Sequence, residues 1–319
     1  MGSSFIDLSL SNIWQSWFKF KKGKKLTQEL QNFNYYLEEN LFVLYDELNN
    51  GSYKHQGYRK FIATDSKRRE ILVASVKDRV VHRLIYEYLI EIYDRTFAFD
   101  VWSCRKEKGL TKAIERTQKI LNRCKKDFVW RADVKKFFDN VDQQKLIDII
   151  SLKVSDEKAM GLFKKVICSY SIFSKKGIPI GNLTSQIFAN IYLNEFDRFI
   201  KIYIKPKAYL RYGDDFIIVL DNLTDLKDVR NQSIKFLSEI LHLQMNSKND
   251  IVIKAKRGLK FLGAEIFPEG MRLNKKNWQK VNSRLSHRNV SSYRGLVKKY
   301  DKKNLKYFNW KIVEKISKE

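Results

Sequence analysis

The sequence predicts an α+β fold, and three observations predict it. Apolar residues recur at three- and four-residue spacing in long segments before residue 127, the period of a helix with one buried stripe. Short apolar runs at 128–134, 208–210 and 217–220 are bounded by acids and by glycine, as strands and a tight hairpin are. From Met271 onward the chain carries 15 Lys/Arg against 3 Asp/Glu, with Trp278, Tyr293, Tyr300, Tyr307, Phe308 and Trp310 interleaved. Such a segment reads as helices with a packed aromatic side and a cationic face.

The elements follow in order. Trp14, Trp17 and Phe18 beside the basic run 19–25 suggest an amphipathic helix packed on its own protein. Leu30, Phe33, Leu37, Leu41, Leu44 and Leu48 predict a helix over 26–48, stopped by Asn49-Asn50-Gly51. Two β-like runs, 59–63 and 70–73, flank the turn Asp65-Ser66-Lys67 and predict a hairpin with Lys67, Arg68 and Arg69 at its tip and second strand. Segments 76–97, 110–124 and 151–171 read as helices, and Gly177-Ile178-Pro179 breaks the chain before a longer helix over 183–203. Asp139 and Asp142 are placed to cap a helix starting near Gln143. An amphipathic helix over 223–241 precedes strands at 251–254 and 260–266.

Composition narrows the partners. With 319 residues and 44% hydrophobic content, the chain can bury a continuous core. A formal charge of +26 attracts polyanions in a salt-dependent way, far beyond what solubility requires. No apolar run approaches the ~18 residues that would cross a bilayer, so nucleic acid rather than membrane is the expected partner. Cys104, Cys124 and Cys168 lack C-x-x-C spacing and the four histidines are scattered, which suggests neither zinc nor disulfides and fits a reducing cytoplasm. The N-terminus has no basic stretch followed by an apolar core, so no secretory signal is expected.

The chemistry centres on Arg211-Tyr212-Gly213-Asp214-Asp215-Phe216, where a hairpin tip would hold two adjacent carboxylates. An ordinary Asp-containing turn looks the same until a third acid is added: the strand at 128–134 ends at Asp133. If that strand pairs beside the hairpin, Asp133 and Asp214 can share a pair of Mg²⁺ ions, which prefer oxygen ligands and take few carboxylates. Two such ions clamp the attacking and leaving oxygens of an in-line displacement. That is polymerase chemistry.

In this order and spacing the chain resembles the reverse transcriptases. The motifs are Asp133 with Phe138 five residues on, Gly177-Ile178-Pro179-Ile180-Gly181-Asn182-Leu183-Thr184-Ser185-Gln186, Tyr212-Gly213-Asp214-Asp215, and Phe261-Leu262-Gly263. The resemblance covers the chain from about Glu38 to the C-terminus. It implies a right-hand polymerase fold with fingers, palm and a short helical thumb. The expected divisions are an N-terminal helical extension at 1–57, fingers at 58–126 with 141–176, palm at 127–140 and 177–270, and thumb at 271–319. Little length remains for an RNase H, integrase or endonuclease domain.

By the same resemblance, Asp133, Asp214 and Asp215 are the catalytic and metal-binding acids, with the carbonyl of Val134 a further candidate ligand. Phe138 stands where the family carries an aromatic steric gate that leaves no room for a ribose 2′-OH. Viral RNA-dependent RNA polymerases share Gly213-Asp214-Asp215 but carry an acid at the place of Phe138 and an Asn at the place of Ala189, so DNA synthesis is expected. Ile180, Gly181 and Gln186 would approach the incoming nucleotide, with Lys67 and Arg69 holding its triphosphate. Lys248 falls where a lysine protonates leaving pyrophosphate, and Phe261, Leu262 and Gly263 resemble the primer grip.

Many reverse transcriptases place Gln where this chain has Ile180 and Ser-Pro where it has Ser185-Gln186. The variant here looks like the enzymes of diversity-generating retroelements, a group II intron-like bacterial branch that copies template RNA with errors at adenines. Bacterial reverse transcriptases of phage defence, which make DNA from their own noncoding RNA, share it. An RNA-binding module descended from a polymerase is disfavoured, because all three acids are present. The implied partners are template RNA, a DNA primer or cDNA, dNTPs, a cognate structured RNA, and a small accessory protein or second polymerase subunit.

Overall fold

A computed structural model describes residues 5–64 and 68–316. The chain opens with three helices, α1 (Leu10–Lys21), α2 (Gln28–Tyr35) and α3 (Leu37–Asn49). The single helix expected over 26–48 is therefore two, broken at Tyr36, whose φ of −103° and ψ of 39° lie outside the helical well. Periodicity missed the break because Leu30, Leu41, Leu44 and Leu48 are buried on both sides of it. In α1, Ser9 caps the N-terminus by accepting from the Asn12 amide, and Trp17 is fully buried while Phe18 is exposed.

Strands β1 (Arg59–Thr64) and β2 (Arg68–Val73) form the expected antiparallel hairpin, followed by α4 (Val76–Tyr93) and a 3₁₀ turn at Asp94–Thr96. Helix α5 (Leu110–Arg123) leads into β3 (Phe128–Asp133), which ends at the predicted acid. Short helix α6 (Phe137–Asn140) and α7 (Gln143–Ser151) come next, and Asp142 caps α7 by accepting from the Lys145 amide. Asp139 lies inside α6 and does not cap α7. The helix expected over 151–171 is α8 (Glu157–Ile167); it starts later because Asp156 is its N-cap, accepting from the Lys158 and Ala159 amides.

Helix α9 (Leu183–Arg198) passes into a π-helical turn at Phe199–Ile204. Then come β4 (Ala208–Tyr212), β5 (Asp215–Leu220), α10 (Leu223–Glu239), β6 (Ile251–Lys254), β7 (Leu259–Phe261), β8 (Ala264–Phe267) and β9 (Gly270–Leu273). The strand expected over 260–266 is thus two, folded at Leu262-Gly263. Both residues have positive φ, 51° and 83°, the pattern of a type I′ hairpin turn. Helices α11 (Lys275–Arg284), α12 (Val290–Tyr300) and α13 (Leu305–Ile316) complete the chain.

These elements form two compact units. The first comprises Met1–Phe99, Val134–Phe199 and Ile234–Gln244. In it α4 packs against α1 and α9, and α7 against α8 and α9. A buried polar cluster ties its loops together. Asp78 accepts from the Tyr53 hydroxyl at 2.6 Å, the Ser75 hydroxyl at 2.7 Å and the Gln56 amide at 3.1 Å. The His55 and His82 Nε2 atoms lie 3.1 Å apart.

The second unit comprises Asp100–Asp133, Ile200–Ser233 and Met245–Glu319. Its centre is an antiparallel sheet in the order β4-β5-β3-β6. Period-two alternation splits the strands into two faces. Val129, Leu210, Ile217 and Val219 share a core with α5, the β7-β8-β9 sheet and the C-terminal helices. Trp130 and Phe216, from the opposite face, meet edge to face at 5.2 Å.

Candidate active site

Sheet register brings the acids together. β3 and β5 pair so that Asp133 stands directly opposite Asp215, on the same face. Asp214 precedes Asp215 in the two-residue turn between β4 and β5, where Tyr212 pairs with Asp215. Gly213 takes the first turn position at φ +64° and Asp214 the second at negative φ, the sign pattern of a type II′ turn. An L side chain is strained at the first position, which explains the glycine.

The turn is held from behind. Arg211 is 0% exposed, and its Nη1 donates to the Gly213 carbonyl at 2.8 Å. The Ser103 hydroxyl accepts from the Gly213 amide at 2.9 Å. Residues 100–102 run beside β4, with the Arg211 amide donating to the Asp100 carbonyl and the Trp102 amide to the Arg211 carbonyl, each at 2.9 Å. Arg131, two residues before Asp133 and on its face, makes an ion pair with Asp215 at 3.0 Å.

Asp133 is gripped on one oxygen only. Asn249 Nδ2 donates to its Oδ2 at 2.9 Å and Asn246 Nδ2 at 3.3 Å, while the Asn246 amide donates to its main-chain carbonyl at 3.0 Å. Oδ1 is buried and has no protein partner. A buried carboxylate oxygen without a donor costs free energy unless a cation answers it. Lys248 lies between the two asparagines on a 3₁₀ turn, its amide donating to Asn246 Oδ1 at 3.2 Å and its side chain exposed. Asp250 anchors this segment by accepting from Trp130 Nε1 at 2.8 Å and from the Arg230 guanidinium. The bond from Arg230 holds the Asp250 carboxyl below the usual carboxylate range.

Among the described residues no three Asp, Glu, His or Cys side chains form a ready-made metal cage. The orphaned Asp133 Oδ1 nevertheless fits a hard cation, and Mg²⁺ keeps several waters and substrate phosphates rather than filling its shell with protein groups.

The remaining expected residues divide between the units. Phe261, buried at the end of β7, and the turn residues Leu262 and Gly263 lie in the second unit, where Asn277 Nδ2 donates to the Gly263 carbonyl at 2.8 Å. Val134, Phe138, Ile180, Gly181, Gln186 and Arg69 belong to the first unit. Asn140 bonds the Lys135 and Lys136 carbonyls as the chain turns through left-handed Lys136 into α6, which carries half-buried Phe138. The Phe138 carbonyl accepts from the Ile178 amide at 2.9 Å. Gln186 is exposed on α9 and Arg69 on β2. Lys67 lies outside the described residues.

Gly181 has a neighbour that its motif did not disclose. Its φ is +112°, and a Cβ there would stand 2.6 Å from Ile71 Cγ2 and 3.3 Å from the Leu72 carbonyl. The Ile180 carbonyl accepts from the Leu72 amide at 2.9 Å, and Asn182 Nδ2 donates to the Leu72 carbonyl at 2.8 Å. The glycine therefore serves the docking of its own loop on β2.

A family signature described as "Reverse transcriptase (RNA-dependent DNA polymerase)" matches residues 54–266, two thirds of the chain. The chain belongs to the reverse transcriptase family. As a reverse transcriptase it is an RNA-directed DNA polymerase with the right-hand polymerase fold. It is similar to Protein YkfC of Escherichia coli, 24% identical and covering 70% of each chain. It is also similar to the group II intron-encoded protein LtrA of Lactococcus lactis, 22% identical over 72% of this chain and 50% of LtrA. The match to a putative COX1/OXI3 intron 2 protein of Saccharomyces cerevisiae is 21% identical and spans 30% of that protein, so two of these three relatives are much longer than the region matched. Among solved structures, an apo telomerase of Candida tropicalis truncated from its C-terminal domain superposes with a TM-score of 0.51 at 14% identity. That match covers 68% of this chain and 55% of the telomerase. No helix among the described residues is long and apolar enough to cross a membrane.

Proposed function

We propose that this reverse transcriptase extends a DNA primer on an RNA template with dNTPs, using Asp133, Asp214 and Asp215 to hold two Mg²⁺ ions. The observation that carries this reading is Asp133, clamped at Oδ2, bare at Oδ1 and register-paired with the residue beside Asp214. When bound, the ions would supply Lewis-acid stabilisation of charge on the reacting oxygens. The primer 3′-hydroxyl attacks the α-phosphorus, the bond to the bridging oxygen of pyrophosphate breaks, and the hydroxyl proton leaves to solvent. Lys248, exposed between the two asparagines, is assigned the proton for the departing pyrophosphate. Arg69 and Lys67 hold the triphosphate, Phe138 excludes the ribose 2′-OH, and Phe261, Leu262 and Gly263 steady the primer.

The biological setting we propose is a diversity-generating retroelement, with a cognate structured RNA copied at low fidelity opposite adenines and a small accessory protein assisting. Apolar Ile180 supports this reading, since an aliphatic side chain gives no hydrogen-bond discrimination at the position where many relatives place an amide. Primer extension on RNA with Mg²⁺ tests both levels. Wild type should prefer dNTPs, Phe138→Ala should gain NTP use, and Asp214→Asn should abolish extension. Equal use of both sugars by wild type would overturn the assignment of Phe138. Misincorporation concentrated opposite template adenines supports the retroelement; faithful copying, with no adenine-variable repeats beside the gene, favours a defence enzyme making DNA from its own noncoding RNA.

A further inference from the structure

The second unit holds a cavity of about 750 Å³ that the polymerase chemistry leaves unused. It lies among α5, the β8–β9 turn, β9 and the end of α12. Strand β3 separates it from the acids. Lys125, on its wall, precedes Phe128, whereas Asp133 ends the same strand roughly 17 Å further on at ~3.3 Å per residue.

Its charge is one-sided. Two lining lysines are matched, Lys125 with Glu269 at 3.0 Å and Lys299 with Glu115 at 3.7 Å. Lys256, Arg272, Lys302 and Lys303 also line it, all exposed, and no carboxylate among the described residues pairs with any of them. Four uncompensated cations around one concavity repel one another and raise the local concentration of anions.

Two aromatic side chains back the wall, Phe267 half-buried and Tyr300 buried. The Phe267 ring lies so close to Gly258 that a Cβ there would stand 2.4 Å from Phe267 Cδ1, and the Arg272 guanidinium sits over the ring at 5.1 Å. Tyr300 is fixed by a 2.8 Å hydrogen bond between its hydroxyl and that of Thr111. With Tyr300 buried and the Phe267 ring covered by Arg272, the cations rather than the rings are what the cavity offers a single strand, through its phosphates. The volume falls within the ~300–1,000 Å³ of small-ligand pockets, room for nucleotide-sized groups.

We infer that this cavity is a second nucleic-acid site, which takes the phosphates of a single-stranded RNA segment separate from the template–primer at the acids. The inference builds on the polymerase reading, which makes RNA the polyanion at hand. A free nucleotide offers the same phosphate chemistry, and the test separates the two sources.

The full chain is tested with fluorescein-labelled oligouridylate over a range of salt. Combining Lys256→Ala, Arg272→Ala, Lys302→Ala and Lys303→Ala should lower the salt slope of binding by about 3, at ~0.7 per lost phosphate contact on a single strand. Removing four exposed lysines elsewhere, Lys158, Lys164, Lys227 and Lys235, should leave the slope nearly as it was. Extension of a short template–primer should proceed at the wild-type rate in both variants.

Lysine acetylation read by mass spectrometry gives the second arm. Protection of Lys256, Lys302 and Lys303 by oligouridylate but not by dTTP assigns an RNA strand, and protection by dTTP alone assigns a free nucleotide. Protection by neither, or equal slopes in the two variants, overturns the site. Should wild type fail to extend primers while these lysines are still protected, the polymerase reading falls and the cavity assignment stands.

Discussion

Asp133 shows how a single residue can carry more information than its motif. Its Oδ2 is committed to two amide donors and its Oδ1 to none, so the carboxylate is held in one rotation with one oxygen presented. A hydrogen bond to a charged acceptor contributes ~1.5–3 kcal/mol. Asn249→Ala should therefore lower single-nucleotide incorporation by roughly 10- to 100-fold and raise the Mg²⁺ concentration needed for half-maximal rate, with a melting temperature lower by a few degrees at most. An unchanged Mg²⁺ requirement would mean that Asn249 does not position this acid. The three acids were legible in the chain because each stands at a strand end or turn with a local signature. Asn246 and Asn249, 113 and 116 residues from Asp133, carry no such signature. Arg211 and Arg131 were equally hidden, since an arginine in a strand reads as surface until the pairing shows one fully buried and the other bonded to Asp215.

Among the elements, the loop of Gly181 and the hairpin it meets behave as one piece. The Ile180 carbonyl and the Asn182 side chain both bond Leu72, and the space for a Cβ on Gly181 is taken by Ile71. Gly181→Ala should cost about 2–3 kcal/mol from its left-handed φ and the clash together. Adding Ile71→Ala should recover the part due to the clash, because the 2.6 Å contact is to the Ile71 side chain and the φ penalty remains. Urea midpoints of the two variants measure this, and equal midpoints would show that the side chain yields without cost. Helix breaks were the least legible elements. The interruptions at Tyr36 and before Glu157 leave the apolar period nearly intact, and only their backbone hydrogen bonds and caps reveal them.

At the scale of the molecule, buried histidine makes stability depend on pH. Burial, then the charges of His55 and Arg79, push His82 down from 6.5 to about 3. His55 is lowered too, by burial acting against the pull of Asp78. The unfolded chain thus takes up protons first as pH falls. The stability contributed by neutral His82 is whole above 6.5 and is lost between 6.5 and about 3, by up to ~1.4 kcal/mol per pH unit, and His55 adds a loss in the same direction. Denaturant midpoints should fall from pH 7 to pH 5 in wild type, and His82→Gln should flatten that fall; an identical slope in the variant would refute the assignment. By itself the sequence determined the α+β class, the family, the basic character and the placing of three acids at a strand end and a hairpin turn, because strand periodicity, turn chemistry and net charge are local or additive properties. Only the tertiary structure decided which oxygen of Asp133 is free, what crowds Gly181, and where four cations gather with no carboxylate partner among the described residues, because each depends on side chains distant along the chain meeting in space.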